Sequence, residues 1–251
     1  MTRSVILIFL TFSFVFCVKT HTDPVEEPRD LELLHVYDLN IEGPSGLSKS
    51  NVPDHLYTVC DSRGRIYLIS TEGQILLTLN IGGDDLEGIV FVEEKLSLYV
   101  LEEKKRMVIR LTLGGQVLDT FKLDIPMQNI NDGPEGITWN PLEEHFYVVN
   151  EKNPAILYVY DTLFQKIDQY PLSFAKDYSA LDYDPTQNKL WILSQESKIL
   201  ARCNLRGDPE ILYNTNVPDG EGLVIDMENE RIYIVCDDTS RLFVFRLPEQ
   251  N

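Results

Sequence analysis

The chain has 251 residues, long enough to bury a full-sized core, and 43% of them are hydrophobic. Forty Asp and Glu stand against 22 Lys and Arg, a formal net charge of −18 with the histidines neutral. A surface this acidic repels nucleic-acid backbones and anionic headgroups, so nucleic acid is excluded as an expected partner, and the simplest role of the charge is solubility.

In chain order, the first element is an export signal or anchor over residues 1–18. Met1-Thr2-Arg3 is a short positive start, and the run from Ser4 to Val18 is apolar apart from Ser4, Thr11 and Ser13. That run is short for a bilayer span and suits a signal-peptide core. Cys17 near its end is a lipidation candidate of the bacterial lipoprotein kind, although Phe16 stands where such sites carry a small residue. A cleaved signal and an uncleaved anchor are the alternatives. The protein is therefore expected to be exported, either periplasmic or membrane-anchored at the cell envelope, or else secreted. Residues 19–30, with two prolines and several carboxylates, read as a tether. The remaining cysteines, Cys60, Cys203 and Cys236, are odd in number and lie in or beside apolar runs, so they read as small buried hydrophobes.

Residues 31–251 are organised by repetition. Five segments align, beginning at Gly43-Pro44-Ser45-Gly46-Leu47, Asp85-Leu86-Glu87-Gly88-Ile89, Gly133-Pro134-Glu135-Gly136-Ile137, Asp177-Tyr178-Ser179-Ala180-Leu181 and Asp219-Gly220-Glu221-Gly222-Leu223. Their anchors, Gly46, Gly88, Gly136, Ala180 and Gly222, are 42, 48, 44 and 42 residues apart. Eleven residues after each anchor stands Tyr57, Tyr99, Tyr147, Trp191 or Tyr233, within an apolar β-branched run of strand length. Twenty residues after each stands Ile66, Val108, Ile156, Leu200 or Leu242. A period in the forties with turn formers between the runs, such as Asn140-Pro141 and Asp184-Pro185, predicts four short strands per repeat. The expected fold is all-β, a five-bladed β-propeller with four antiparallel strands (A to D) per blade. The fifth repeat ends after its third strand. The apolar stretch 31–39 is expected to supply the missing strand beside Leu242 to Leu247, closing the ring and removing exposed edges.

Strand A lines the axis of such a disc and strand B returns antiparallel to it, so the start of A and the end of B share one face. The residues before the anchors are Ser45, Glu87, Glu135, Ser179 and Glu221; those fifteen beyond are Asp61, Glu103, Glu151, Gln195 and Asp237, with Asn150 next to Glu151. Glu87, Glu135 and Glu221 are the expected metal ligands, and Asp61, Glu103, Asn150, Glu151 and Asp237 the expected ligand-binding ring. Three carboxylates around one axis repel each other unless they are protonated or share a cation, and a hard cation such as calcium takes six to eight oxygens. A structural role, with each Glu-Gly only forming a turn, is the alternative. Glycine at the anchor suits backbones that crowd near the axis.

On Asp85-Leu86-Glu87-Gly88-Ile89, Gly133-Pro134-Glu135-Gly136-Ile137, Val148-Val149-Asn150-Glu151 and Asp219-Gly220-Glu221-Gly222-Leu223, the chain resembles the SdiA-regulated, or YjiK-like, family of bacterial envelope proteins over about residues 31–247. The resemblance implies a propeller at the cell envelope and no settled activity. More distantly the chain is similar to gluconolactonase-type propellers, in which acidic or amide residues before a strand-A glycine bind a central divalent cation; Glu87, Glu135 and Glu221 hold that position, while Ser45 and Ser179 depart from it.

No phosphate-binding glycine loop, dinucleotide fingerprint or zinc spacing appears. His55 and His145 fall in A–B turns, away from the acidic mouth, and neither Ser45 nor Ser179 has an activating base. The reading is thus a monomeric binding or interaction protein with an unidentified small-molecule or envelope partner. A metal-dependent hydrolase of lactones or phosphoesters is the alternative.

Overall fold

The computed structural model describes residues 27–249, so the export segment and Cys17 lie outside the described residues. Among the described residues there are twenty-one strands and one 3-10 turn at Glu93–Lys95. Blade one is β3 (Pro44–Lys49), β4 (His55–Cys60), β5 (Arg65–Ser70) and β6 (Ile75–Asn80). Blade two is β7 (Leu86–Val92), β8 (Ser97–Glu102), β9 (Met107–Thr112) and β10 (Val117–Lys122). Blade three is β11 (Pro134–Asn140), β12 (His145–Asn150), β13 (Ile156–Tyr160) and β14 (Lys166–Pro171). Blade four is β15 (Ala180–Asp184), β16 (Lys189–Ser194), β17 (Ile199–Cys203) and β18 (Pro209–Asn214). Blade five joins β19 (Gly220–Asp226), β20 (Arg231–Cys236) and β21 (Arg241–Arg246) to β2 (Leu33–Asp38). The protein is a five-bladed β-propeller.

Ring closure follows the sequence reading. Strand β2 pairs antiparallel with β21, from Leu33 opposite Phe245 to Asp38 opposite Arg241. Ion pairs at the two ends of the seam, Arg246 with Glu32 at 2.7 Å and Arg241 with Asp38 at 2.9 Å, are exposed and contribute little; the ladder and the apolar packing hold the closure. A chain starting at residue 39 leaves β21 as a bare edge, and its melting temperature is expected to fall by at least ~10 °C with concentration-dependent aggregation, measurable by differential scanning calorimetry and light scattering.

One addition was not legible in the sequence. Arg29–Asp30, at the end of the segment read as a tether, forms β1 and pairs in parallel with β18 as a fifth strand on blade four, Arg29 opposite Tyr213 and Asp30 opposite Asn214. Two residues are too few to show an alternating pattern, so only the neighbouring edge could reveal them.

The core sits between blades. Five separate apolar clusters occupy the five interfaces, and the aromatic of the eleven-residue offset contributes to a different one each time: Tyr57, Tyr99, Tyr147, Trp191 and Tyr233. This explains why an aromatic recurs there, since each blade needs one large side chain to fill the wedge against its neighbour. Cys60, Cys203 and Cys236 are buried and free, as their apolar surroundings imply.

Near the axis the crowding is between backbones. A Cβ on Gly136 would lie 2.9 Å from Ala180 Cα and Leu181 N of blade four, and one on Gly222 would lie 2.7 Å from Gly46 C and Leu47 N of blade one. These close approaches bring the inner strands together at the neck of the channel, where the remaining space is about 10 Å³, roughly one water.

Candidate functional site

Above this neck the inner strands open into a cavity of about 170 Å³ lined by Gly43, Ser45, Asp61, Glu87, Asn131, Glu135, Glu151, Ser179, Gln195, Glu221 and Asp237. The residues before all five anchors are therefore together, and so are four of the five that follow strand B. Not one of the lining residues is Lys, Arg or His.

Glu87, Glu135 and Glu221 start three inner strands and are half-buried toward this space. Burial is the main cause that lifts Glu87 to about 8, opposed by a 2.6 Å hydrogen bond that Ser45 Oγ donates to its Oε2 and reinforced by Asp85, Glu103 and Asp61. Glu135 and Glu221 are pushed well above the usual carboxylate range by burial, with neighbouring carboxylates adding to the effect, Glu87 and Glu221 on Glu135 and Glu87 and Asp219 on Glu221. Asp237 rises to about 6, again chiefly by burial and then by Asp61 and Asp219. Glu151 is paired with Lys152 at 2.7 Å, while Glu87, Glu135, Glu221 and Asp237 face the cavity with no basic residue in its lining. Ser179, by contrast, is spent on structure: its Oγ donates to Gly220 O at 2.6 Å.

Two of the expected ring members lie elsewhere. Asn150 is fully buried off the cavity, its Nδ2 donating to the carbonyls of Asp132, Lys152 and Pro154 at 3.1, 3.1 and 2.9 Å, so it holds the turn after β12. Glu103 is buried beside the cavity, its Oε1 accepting the Gly133 N–H at 2.7 Å, and burial raises its carboxyl to about 8. Its position one residue beyond strand B fits the alignment, but the loop before β11 captures the side chain through the buried Gly133 N–H.

That loop also supplies what the repeat logic missed. Gly88 and Gly136 are 48 residues apart, the longest spacing of the series, and the extra length forms the β10–β11 connection carrying Asn131 to the cavity rim. Arg106, only 1% exposed, holds it: Nη1 donates to Ile130 O at 2.6 Å and Glu103 O at 2.9 Å, and Nη2 to Asn129 O at 2.7 Å. Arg106→Met removes the three guanidinium hydrogen bonds that hold this connection, and a loss of about 1–3 kcal/mol with new proteolytic cleavage in residues 123–133 is expected from denaturant titration and limited digestion.

The tightest carboxylate groups among the described residues are not the axial three. Asp85, Glu87 and Glu103 offer oxygens within 4.8 Å of one another, as do Glu151, Asp177 and Glu196. The first group is partly neutralised by Lys104, 2.8 Å from Asp85, and the second by Lys152, 2.7 Å from Glu151 and 3.3 Å from Glu196. Asp177 also accepts hydrogen bonds from Ser194 and from the Glu196 N–H. Glu87 is shared between the axial three and the first group.

Comparison with solved structures places this fold among known propellers. Glutaminyl cyclase from Myxococcus xanthus matches with a TM-score of 0.70 at 14% identity over 88% of this chain and 98% of its own. Virginiamycin B lyase from Staphylococcus aureus matches with a TM-score of 0.52 at 17% identity, over 84% and 69%. A luciferin-regenerating enzyme matches with a TM-score of 0.54 at 12% identity, over 84% and 95%. At these identities the likeness is one of fold. The repeat motifs and the ring of blades agree with a family model that matches residues 34–246, and the chain belongs to the SdiA-regulated family.

Proposed function

We propose that this protein is a noncatalytic binding propeller whose acidic mouth takes a divalent cation and, through it, a small molecule or an envelope partner. The observation that carries the reading is a cavity lined by carboxylates, hydroxyls and amides with no basic residue among them. An all-oxygen donor set matches calcium, which tolerates irregular coordination, better than metals that prefer nitrogen or sulfur. Glu87, Glu135 and Glu221 would hold the ion, with Asp61, Glu151, Gln195 and Asp237 available to the ion or to whatever it binds. When bound, the cation supplies the positive charge that the protein withholds. Isothermal calorimetry with calcium near pH 8 tests this: saturable binding to the wild type, absent in Glu87→Gln/Glu135→Gln/Glu221→Gln, is expected. Equal heats from both proteins would end the reading.

The same proposal includes export to the envelope through residues 1–18, with Cys17 as the lipid-bearing position, and a monomeric state. Radiolabelled-palmitate incorporation in the wild type and in Cys17→Ser addresses the anchor.

One feature favours a second reading. Asp237, which lines the cavity at about 6, lies close enough to neutral pH to exchange protons as a general acid or base. A metal-dependent hydrolase of lactones or phosphoesters would use it, and turnover of such substrates that vanishes in Asp237→Asn would favour it over simple binding.

A further inference from the structure

The inner strands end at the other mouth of the channel, and its chemistry is different. Beneath the neck lies a second cavity of about 260 Å³ whose walls include Phe91, Trp139, Tyr183, Ile225 and Met227, drawn from blades two to five. An apolar cavity of about 150 Å³ holds a benzene ring, so this one accommodates an aromatic group with a short tail. Trp139 is only 8% exposed, and its Nε1 has no hydrogen-bond partner.

The polar groups around these walls are mostly acidic. Asp182 projects from β15 into the cavity lining, accepting from the Ile225 N–H at 2.7 Å, the Tyr183 N–H at 2.9 Å and Thr138 Oγ1 at 3.2 Å. Glu93 and Glu94, both exposed, stand at the rim on the 3-10 turn. Lys49 is the basic lining residue, and its ammonium is engaged by Asp226 at 2.8 Å. Lys95 Nζ lies 5.4 Å from the centroid of the Trp139 ring, so that ring already attracts a cation. Aromatic walls with a carboxylate excess select for a molecule that is apolar at one end and positively charged at the other.

We infer that this mouth is a binding site for a small organic amine carrying an aromatic or alkyl body, separate from the cation site across the neck. The ring or chain packs on Phe91, Trp139 and Met227, while the ammonium faces Glu93, Glu94 and Asp182. The neck, with space for about one water, keeps the two sites from sharing a ligand.

Phenethylamine is the probe, compared by calorimetry with neutral 2-phenylethanol and anionic phenylacetate. The amine is expected to bind saturably and at least ~10-fold more tightly than either. Glu93→Gln/Glu94→Gln, an exposed double change that leaves the core untouched, is expected to weaken the amine by about 3-fold or more. Met227→Arg, which adds bulk and positive charge to the wall, is expected to abolish it, with an unchanged melting temperature reporting an intact fold. Equal affinity for the amine and the alcohol overturns the inference, as does binding that survives Met227→Arg. Binding lost in Glu87→Gln/Glu135→Gln/Glu221→Gln but kept in Met227→Arg assigns the amine to the acidic cavity and also overturns it. Because the two sets of variants lie on opposite mouths, failure of the calcium reading and failure of this one give different patterns.

Discussion

Without divalent cations, the melting temperature at pH 8.5 is expected to lie at least ~10 °C below that at pH 5.5, and calcium is expected to restore most of the difference. Glu87 is held at about 8, and Glu135 and Glu221 well above their ordinary 4.5. Over that interval the folded protein retains protons that the unfolded chain has released. The stability these groups contribute is therefore fully present below about 4.5 and is lost as pH rises, for Glu87 through about 8. Ionisation then places like charges around the axis with no basic lining residue to offset them. A cation changes the sign: it requires the ionised carboxylates, so its affinity rises over the same interval and its stabilisation grows as that of the protons fades. Glu87→Gln/Glu135→Gln/Glu221→Gln mimics the protonated state and is expected to melt at a temperature insensitive to calcium and less sensitive to pH between 5.5 and 8.5 than the wild type, with Glu103 and Asp237 still titrating there. Scanning fluorimetry with calcium or EDTA decides the matter. A wild-type melting temperature that is flat across this range, or one that calcium shifts no more than it shifts the triple variant, would sink the assignment of these carboxylates.

The second large effect concerns the neck. Gly136→Ala and Gly222→Ala are each expected to cost about 1–3 kcal/mol, and the corresponding valine variants are expected not to form a closed ring. The reason is the identity of the obstructing atoms. An added methyl meets inner-strand backbone of the next blade at 2.7–2.9 Å, and backbone within a ladder cannot retreat as a flexible side chain can. Ala180→Gly is the counterpart, since blade four already carries a methyl at this point; a loss below about 1 kcal/mol is expected there. Gly136 meets blade four and Gly222 meets blade one, so the two losses are expected to add. Urea denaturation of the single and double variants measures this, and changes below about 0.5 kcal/mol would contradict the packing described here.

The fold was legible because it is repetitive. Each of five repeats must place an aromatic in an inter-blade wedge, and the offsets of Tyr57, Tyr99, Tyr147, Trp191 and Tyr233 from their anchors declare that need five times. The unpaired run at 31–39 and the missing last strand declared the closure in the same way. The grouping of Ser45, Glu87, Glu135, Ser179 and Glu221 also followed, because symmetry carries equivalent positions to one axis.

What departed from the repeat had to wait for three dimensions. Asn150 and Glu103 occupy the right positions in the alignment, but hydrogen bonds to neighbouring loops turn one into a turn clamp and bury the other beside the cavity. Asn131 reaches the rim because Arg106 holds an irregular connection, and β1 forms where it pairs along the edge of β18. The aromatic mouth beneath the neck is periodic too, since Phe91, Trp139, Tyr183 and Ile225 each stand three residues after their anchors, but the space they enclose only became visible in three dimensions. Sequence alone determined the ring and the common direction of its carboxylates, since those depend on position within a repeated unit. Tertiary structure decided which side chains remain free for a ligand, since that depends on the particular loop packed against each one.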